Sequence, residues 1–168
     1  MKWLLLLVLF AFLVILLTGG RRVWRVFAGT RLLRICGVAF FAANVFVSLT
    51  AVFGGITVSA GIDVFPAEWL TGTVFHSYLL PGLILSVVVG GSATVAAGAV
   101  LHSREAGALS SMVAGAILLG WLAGERLTLP PAAFFPEFWW LEAIYVTAGL
   151  TMVVPAAKVW WADPARRS

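Results

Sequence analysis

The sequence predicts an all-α, polytopic membrane protein with five transmembrane helices, and three observations lead to this fold class. Of the 168 residues, 62% are hydrophobic and only 11% are charged, proportions outside the range of a soluble domain. The apolar residues form long unbroken runs, unlike the short alternating segments of a membrane β-barrel. Each run is close to the roughly 20 helical residues that cross a hydrocarbon core.

The transmembrane helices are predicted at residues 3–19, 35–59, 77–101, 109–127 and 139–159, in one domain spanning 1–168. The first run resembles a signal peptide, but it ends in Thr18-Gly19-Gly20-Arg21-Arg22 without a small-x-small cleavage site. We therefore expect the first helix to be retained. Pro81 falls near the start of the third helix, where proline is tolerated.

The charges predict an orientation. If the segment after the first helix is cytoplasmic, nine of the eleven basic residues share its side: Arg21, Arg22, Arg25, Arg31, Arg34, Arg104, Lys158, Arg166 and Arg167. Five of the seven acids lie on the other side: Asp63, Glu68, Glu125, Glu137 and Glu142. The positive-inside rule then predicts an outer N-terminus and a cytoplasmic C-terminus in the cell inner (plasma) membrane.

The segment 21–34 alternates arginines with apolar side chains, which predicts a short interfacial helix. Anionic lipids are expected at its basic residues, Arg21, Arg22, Arg25, Arg31 and Arg34. Docking of a cytoplasmic partner is the alternative. The net charge of +4 does not indicate nucleic-acid binding, because the cations flank membrane spans.

Small residues predict how the helices pack, since lipid provides no hydrophobic drive for helix association and close backbone approach must replace it. The fourth helix has small or flexible residues at every fourth position: Ala108, Met112, Ala116, Gly120 and Gly124. Helices two, three and five carry similar small-residue groups, and the first helix has none. We expect a compact four-helix bundle with the first helix at its periphery.

No cofactor or metal is expected from the sequence. Cys36 is the only cysteine, which excludes an intrachain disulfide and a CxxC pair and suggests a small apolar filler. His76 and His102 are 26 residues apart, about 39 Å along one helix, too far to share a metal or a haem. No nucleotide-binding or hydrolase motif occurs.

Polar residues of the spans and outer loops are the candidates for a ligand site. Asn44 is the polar residue nearest mid-membrane and is expected either to hydrogen-bond to a neighbouring helix or to line a pocket. The outer acids are expected either to form a metal or headgroup site or to be solvated, with Arg126 paired to one of them. The candidate set is Asn44, Glu68, His76, Ser86, Glu125, Arg126 and Glu142.

One resemblance accompanies these patterns. The run Phe65-Pro66-Ala67-Glu68-Trp69-Leu70-Thr71-Gly72-Thr73, continuing into residues 77–85 and Gly90-Gly91-Ser92-Ala93, resembles small polytopic bacterial membrane proteins of GC-rich genomes. Nine arginines against two lysines fit that coding bias. Because no activity is known for that family, the resemblance implies an architecture only.

The sequence favours an interaction or accessory subunit of a membrane assembly, with a membrane-protein partner or a second copy of itself. The reason is that extensive small-residue faces and span centres without ionisable groups offer packing surfaces rather than a reaction centre. The alternative is a binder or carrier of a small lipophilic molecule, such as a lipid or a quinone, between helices two to five. A membrane enzyme acting at the outer headgroup region is the third hypothesis.

Overall fold

The computed structural model describes residues 2–61, 70, 75–128 and 139–161, and within these it is all-helical, without strands. The elements are α1 (Lys2–Val26), α2 (Arg31–Ser59), α3 (Leu79–Leu83), a π-helical segment (Ile84–Gly90), α4 (Gly91–Val100), α5 (Arg104–Thr128) and α6 (Trp139–Trp161). The α3, π and α4 segments run on without a break and form one rod, the α3–α4 helix. The described residues thus form five helices, which confirms the predicted all-helical class and the helix number.

Four of these helices are long and apolar enough to cross a membrane. Among the described residues, four helices meet this criterion of length and composition: α2, the α3–α4 helix, α5 and α6. All four follow the predicted spans to within about five residues at each end, whereas a predicted boundary is usually uncertain by about two to four residues. The largest differences are at the starts of α5 and α2, which begin five and four residues early.

The segment 21–34 does not form the predicted separate interfacial helix. α1 continues through Gly19 and Gly20 to Val26, and α2 begins at Arg31. The break between them is made by Gly29, whose φ of +142° favours glycine, and by Thr30, whose side chain accepts a hydrogen bond from Leu33 N. Two glycines inside a helix cost only about 1 kcal/mol each, too little to end α1 at residue 19.

The α3–α4 helix contains a wide turn that the sequence did not indicate. Pro81 lies in the first turn of α3, as predicted, where its missing N–H needs no helical partner. From Ile84 to Gly90 the helix is π-helical, and Gly91 N reaches the carbonyl of Ser86, five residues earlier. Such single wide turns occur in otherwise regular helices and often at functional positions.

Packing among the helices forms a ring of four. α2 packs against the α3–α4 helix and α6, while α5 packs against α4 and α6. α2 and α5 therefore lie on one diagonal of the ring. α1 packs mainly on α2, outside the ring, and exposes many of its large apolar side chains.

The close approach of α2 to the α3–α4 helix depends on glycine. A Cβ at Gly55 would collide with the Gly82 carbonyl oxygen and would lie 2.6 Å from Ser86 N. A Cβ at Gly82 would collide in turn with Ser59. The backbones touch here without intervening side chains, the arrangement expected for helices that associate in lipid.

Candidate functional site

The tertiary structure gathers the basic segments at one end of the bundle. One buried core cluster draws on five helices, through Val23 of α1, Phe40 of α2, Val100 of α4, Ala108 of α5 and Val159 of α6. These residues lie next to the arginine-rich junction of α1 and α2, the α4–α5 junction and the end of α6. The described cationic residues of three separate segments therefore share this end, named here the basic end.

At the opposite end, Arg126 and Glu142 join α5 to α6. Arg126 Nε donates a hydrogen bond to Glu142 Oε1 at 2.7 Å, and Arg126 Nη2 contacts Glu142 Oε2. The pairing is bidentate, which is the geometry that a planar guanidinium favours. The expectation that Arg126 pairs with one of the outer acids is confirmed.

Glu125 lies next to this ion pair but in a more enclosed place. Its side chain is half-buried, and Trp121 lies one turn earlier on α5. It also interacts electrostatically with Glu142 across the α5–α6 contact. The two carboxylates flanking the 129–138 segment are therefore near enough to influence each other electrostatically.

Aromatic and hydroxyl side chains surround Glu125. Tyr145 of α6 interacts electrostatically with Glu125 and lies near Thr50 on α2. The Thr50 hydroxyl donates to the Phe46 carbonyl at 2.8 Å. The Phe46 and Tyr145 rings lie 5.8 Å apart at 37°. We call this group, made of Phe46, Thr50, Trp121, Glu125 and Tyr145, the acid–aromatic cluster.

Four of these five residues were not among the sequence candidates. Only Glu125 is a sequence candidate, and Phe46, Thr50, Trp121 and Tyr145 are not. A helical periodicity does carry part of the signal, because Trp121 precedes Glu125 by four positions and Tyr145 follows Glu142 by three. The contribution of α2 had no sequence signal, since it arises from the packing of α2 against α6.

Asn44 and Ser86 do not share a site. The fully buried Asn44 amide donates to the Phe40 carbonyl at 2.6 Å and to the Ser111 hydroxyl at 2.9 Å. Ser86 donates within its own helix, to the Leu83 carbonyl at 3.2 Å, and packs against Gly55. Gly55 lies eleven residues beyond Asn44 on α2, about 16 Å along the axis. Asn44 takes the first of its two expected roles, that of a bond to a neighbouring helix.

The remaining candidates lie elsewhere. His76 is exposed in the bend before α3, and Glu68 lies outside the described residues. Within the described parts of the chain, no three histidine, cysteine, aspartate or glutamate side chains come together as a metal-binding group. The acid–aromatic cluster therefore offers one carboxylate among aromatic rings, and an ion pair beside it.

The five arginines expected to meet anionic lipid have different surroundings. Arg21 and Arg31 are exposed, whereas the Arg34 guanidinium lies over the Trp24 ring, 5.3 Å from its centre. Arg22 and Arg25 are exposed as well, and Arg22 Nε donates to the Leu101 carbonyl at 2.9 Å.

No protein-family model, curated protein or solved structure matches this chain. Its function is therefore inferred from its own residues.

Proposed function

We propose that this chain is a multi-pass protein of the bacterial inner (plasma) membrane and that it acts as an interaction or accessory subunit of a membrane assembly. The observation that carries the proposal is an uncovered small-residue surface on α5, made of Ala116, Gly120 and Gly124. A Cβ at Gly120 or Gly124 would meet nothing within 4 Å, and Ala116 and Gly120 are exposed.

The geometry of a helix explains why this surface faces outward. A row of every fourth residue advances about 40° around the axis at each step, because an α-helix has 3.6 residues per turn. The row starts at the fully buried Ala108 and reaches the surface by Ala116. The neighbouring Gly115 remains inside, where a Cβ would lie 3.0 Å from the Gly149 carbonyl oxygen.

α5 therefore uses one small-residue row inside the bundle and leaves another free. In lipid, a large side chain covers the helix surface well, and a small one gains little unless another backbone approaches it. The outward surface of α5 is lined by small residues, as the inward surface is, and it could therefore pack closely against a further transmembrane helix. The proposed partner is a helix of another membrane protein or of a second copy.

Substitution of Gly120 tests the proposal. Because the position opens into free space, Gly120→Leu is expected to leave the bundle intact and to reduce the co-purifying chain at least about fivefold, equivalent to about 1 kcal/mol. The measurement is native mass spectrometry after gentle solubilisation. Gly20→Leu is the matched control, because it fills equally open space on α1, which packs on the diagonally opposite α2. A wild-type chain that purifies alone contradicts the proposal.

The proposed orientation has the N-terminus outside and the C-terminus in the cytoplasm. Its support is the basic end, since cationic residues near spans are retained on the cytoplasmic side. The five arginines of the segment 21–34, which lie at that end, are proposed to contact anionic lipids. In a Cys36→Ala background, single cysteines at Val64 and Pro164 decide the orientation. An impermeant thiol reagent is expected to label only position 64 in intact cells, and labelling of position 164 alone would invert it.

The acid–aromatic cluster supports a second candidate, the binding of a small lipophilic molecule. A carboxylate beside Trp121, Phe46 and Tyr145 suits an amphiphile with a cationic group, because both the charge and the aromatic faces attract it. Quenching of tryptophan fluorescence by tetraphenylphosphonium tests this candidate. Glu125→Gln is expected to weaken binding about tenfold, an ordinary magnitude for a charge-assisted contact, and Glu105→Gln at the other end of α5 serves as the control. Equal affinities in both variants would exclude the candidate.

A further inference from the structure

A pocket of about 450 Å³ opens at the basic end, between the last turns of α1 and the end of α4. Its lining residues are Arg22, Arg25, Val26, Leu101 and His102. None of these is acidic, so the two guanidinium groups, three residues apart on one helix face, have no compensating carboxylate among the described lining residues. Like charges at this spacing repel, and a bound anion would relieve that repulsion.

Arg22 is oriented before any ligand arrives. Its Nε donates to the Leu101 carbonyl at 2.9 Å, a contact between residues 79 positions apart. Leu101 caps the C-terminus of α4, where carbonyl groups have no further helical donor. Since Nε is held there, the two terminal amino groups remain to form the paired hydrogen bonds that a guanidinium makes with a phosphate.

His102 adds a third donor to the same pocket. Its Nδ1 lies 2.9 Å from the Gly98 carbonyl oxygen, and because a carbonyl only accepts, Nδ1 must be the protonated nitrogen. The second ring nitrogen, Nε2, can then donate only when the ring is an imidazolium.

We propose that Arg22, Arg25 and His102 form a defined binding site for the phosphate group of an anionic headgroup or of a soluble phosphate compound. The lipid source rests on the membrane placement proposed above, whereas the phosphate chemistry does not. Of the five arginines in the segment 21–34, only Arg22 and Arg25 line this pocket. Arg34 is stacked on Trp24, and Arg21 and Arg31 do not line the pocket.

Native mass spectrometry of the full-length, delipidated protein in detergent tests the site, with phosphatidic acid as the probe and phosphatidylcholine as the zwitterionic reference. Arg25→Gln and Arg22→Gln are each expected to lower the phosphatidic acid affinity about tenfold, the effect of losing one charge-assisted hydrogen bond. Arg21→Gln and Arg31→Gln remove the same charge from the same end and are expected to change it less than about threefold. Arg25→Gln keeps the proposal testable if loss of the Arg22 contact to Leu101 disturbs the fold.

A second arm identifies the source of the phosphate. If inorganic phosphate displaces phosphatidic acid from the wild-type protein but not from Arg25→Gln, the site is open to soluble phosphates. If the wild-type protein retains phosphatidic acid in the presence of inorganic phosphate, and Arg25→Gln still lowers the phosphatidic acid affinity, the site binds a lipid headgroup. Equal losses in all four variants, or no preference over phosphatidylcholine, would overturn the proposal. Neither result depends on the α5 surface, so the subunit proposal stands or falls separately.

Discussion

The side chains of Asn44 and Ser111 connect α2 and α5 across the diagonal of the four-helix ring. Asn44 Nδ2 donates to Ser111 Oγ at 2.9 Å, and both residues are fully buried. The packing between α2 and α5 is otherwise slight, because their neighbours in the ring lie between them. In an apolar interior this polar contact fixes the axial register of two helices that have little other contact.

Removal of the acceptor is expected to destabilise the bundle modestly. Ser111→Ala should lower the free energy of unfolding by about 1 kcal/mol, because an Asn44 N–H loses its partner in a buried site. A double-mutant cycle with Asn44→Ala should give a coupling of about 0.6 kcal/mol, the average for such bonds in membranes. Unfolding in mixed micelles measures both.

Ser110→Ala is the control for that cycle. The Ser110 hydroxyl donates only within α5, to Ala106 O at 2.6 Å and to Gly107 O at 3.3 Å. Its removal should change the free energy of unfolding by less than about 0.5 kcal/mol. Identical effects of the two serine substitutions would mean that the diagonal contact adds no stability.

The glycine contact between α2 and the α3–α4 helix predicts opposite results for two similar substitutions. Gly55→Ala should destabilise the protein by about 1 to 3 kcal/mol, because its methyl group must push the Gly82 backbone away. Gly98→Ala meets nothing within 4 Å, and the better helix propensity of alanine should leave stability unchanged or raise it by up to about 1 kcal/mol. Thermal unfolding in detergent compares them, and equal losses would contradict the close approach.

The Arg126–Glu142 pair should contribute little to stability despite its bidentate geometry. The two side chains remain 49% and 31% exposed, and solvent screens such exposed pairs so that they add little to stability. Arg126→Glu should nevertheless destabilise the protein, since it places a third carboxylate beside Glu125 and Glu142. The double variant Arg126→Glu/Glu142→Arg, which exchanges the two charges, should regain most of the lost free energy of unfolding. Chemical unfolding measures this free energy. Failure of the exchange to restore stability would show that the pair's geometry is dispensable.

α1 and α2 are joined by two reciprocal contacts of ring and glycine. A Cβ at Gly37 would lie 2.6 Å from the Phe27 ring, and one at Gly19 would collide with the Phe41 ring. Gly37→Leu should therefore displace α1 and accelerate tryptic cleavage after Arg25, with a loss of about 1 to 3 kcal/mol. Gly20→Leu, in open space on α1, should leave cleavage unchanged. Slow cleavage in both variants would argue that α1 is held elsewhere.

The helix positions could be predicted because hydropathy is a local property. The length and composition of each apolar run specify a span, whatever its neighbours are. Arg126 pairing with an outer acid was likewise foreseeable, because the candidates were few and lay at facing helix ends. The continuation of α1 to Val26 is not predicted, because two glycines followed by three arginines suggest that the helix ends there. An α-helix can contain all five residues without a break, at a modest cost in helix propensity.

The sequence alone therefore determined the all-helical class, the number of helices and the separation of basic from acidic segments. Only the tertiary structure decided which residues meet: Asn44 with Ser111, Arg22 with the Leu101 carbonyl, and Tyr145 with Phe46. The physical reason is that helix formation depends on neighbours three and four residues away. A contact between helices depends instead on the rotation and axial offset of two rods, which their separate sequences do not encode.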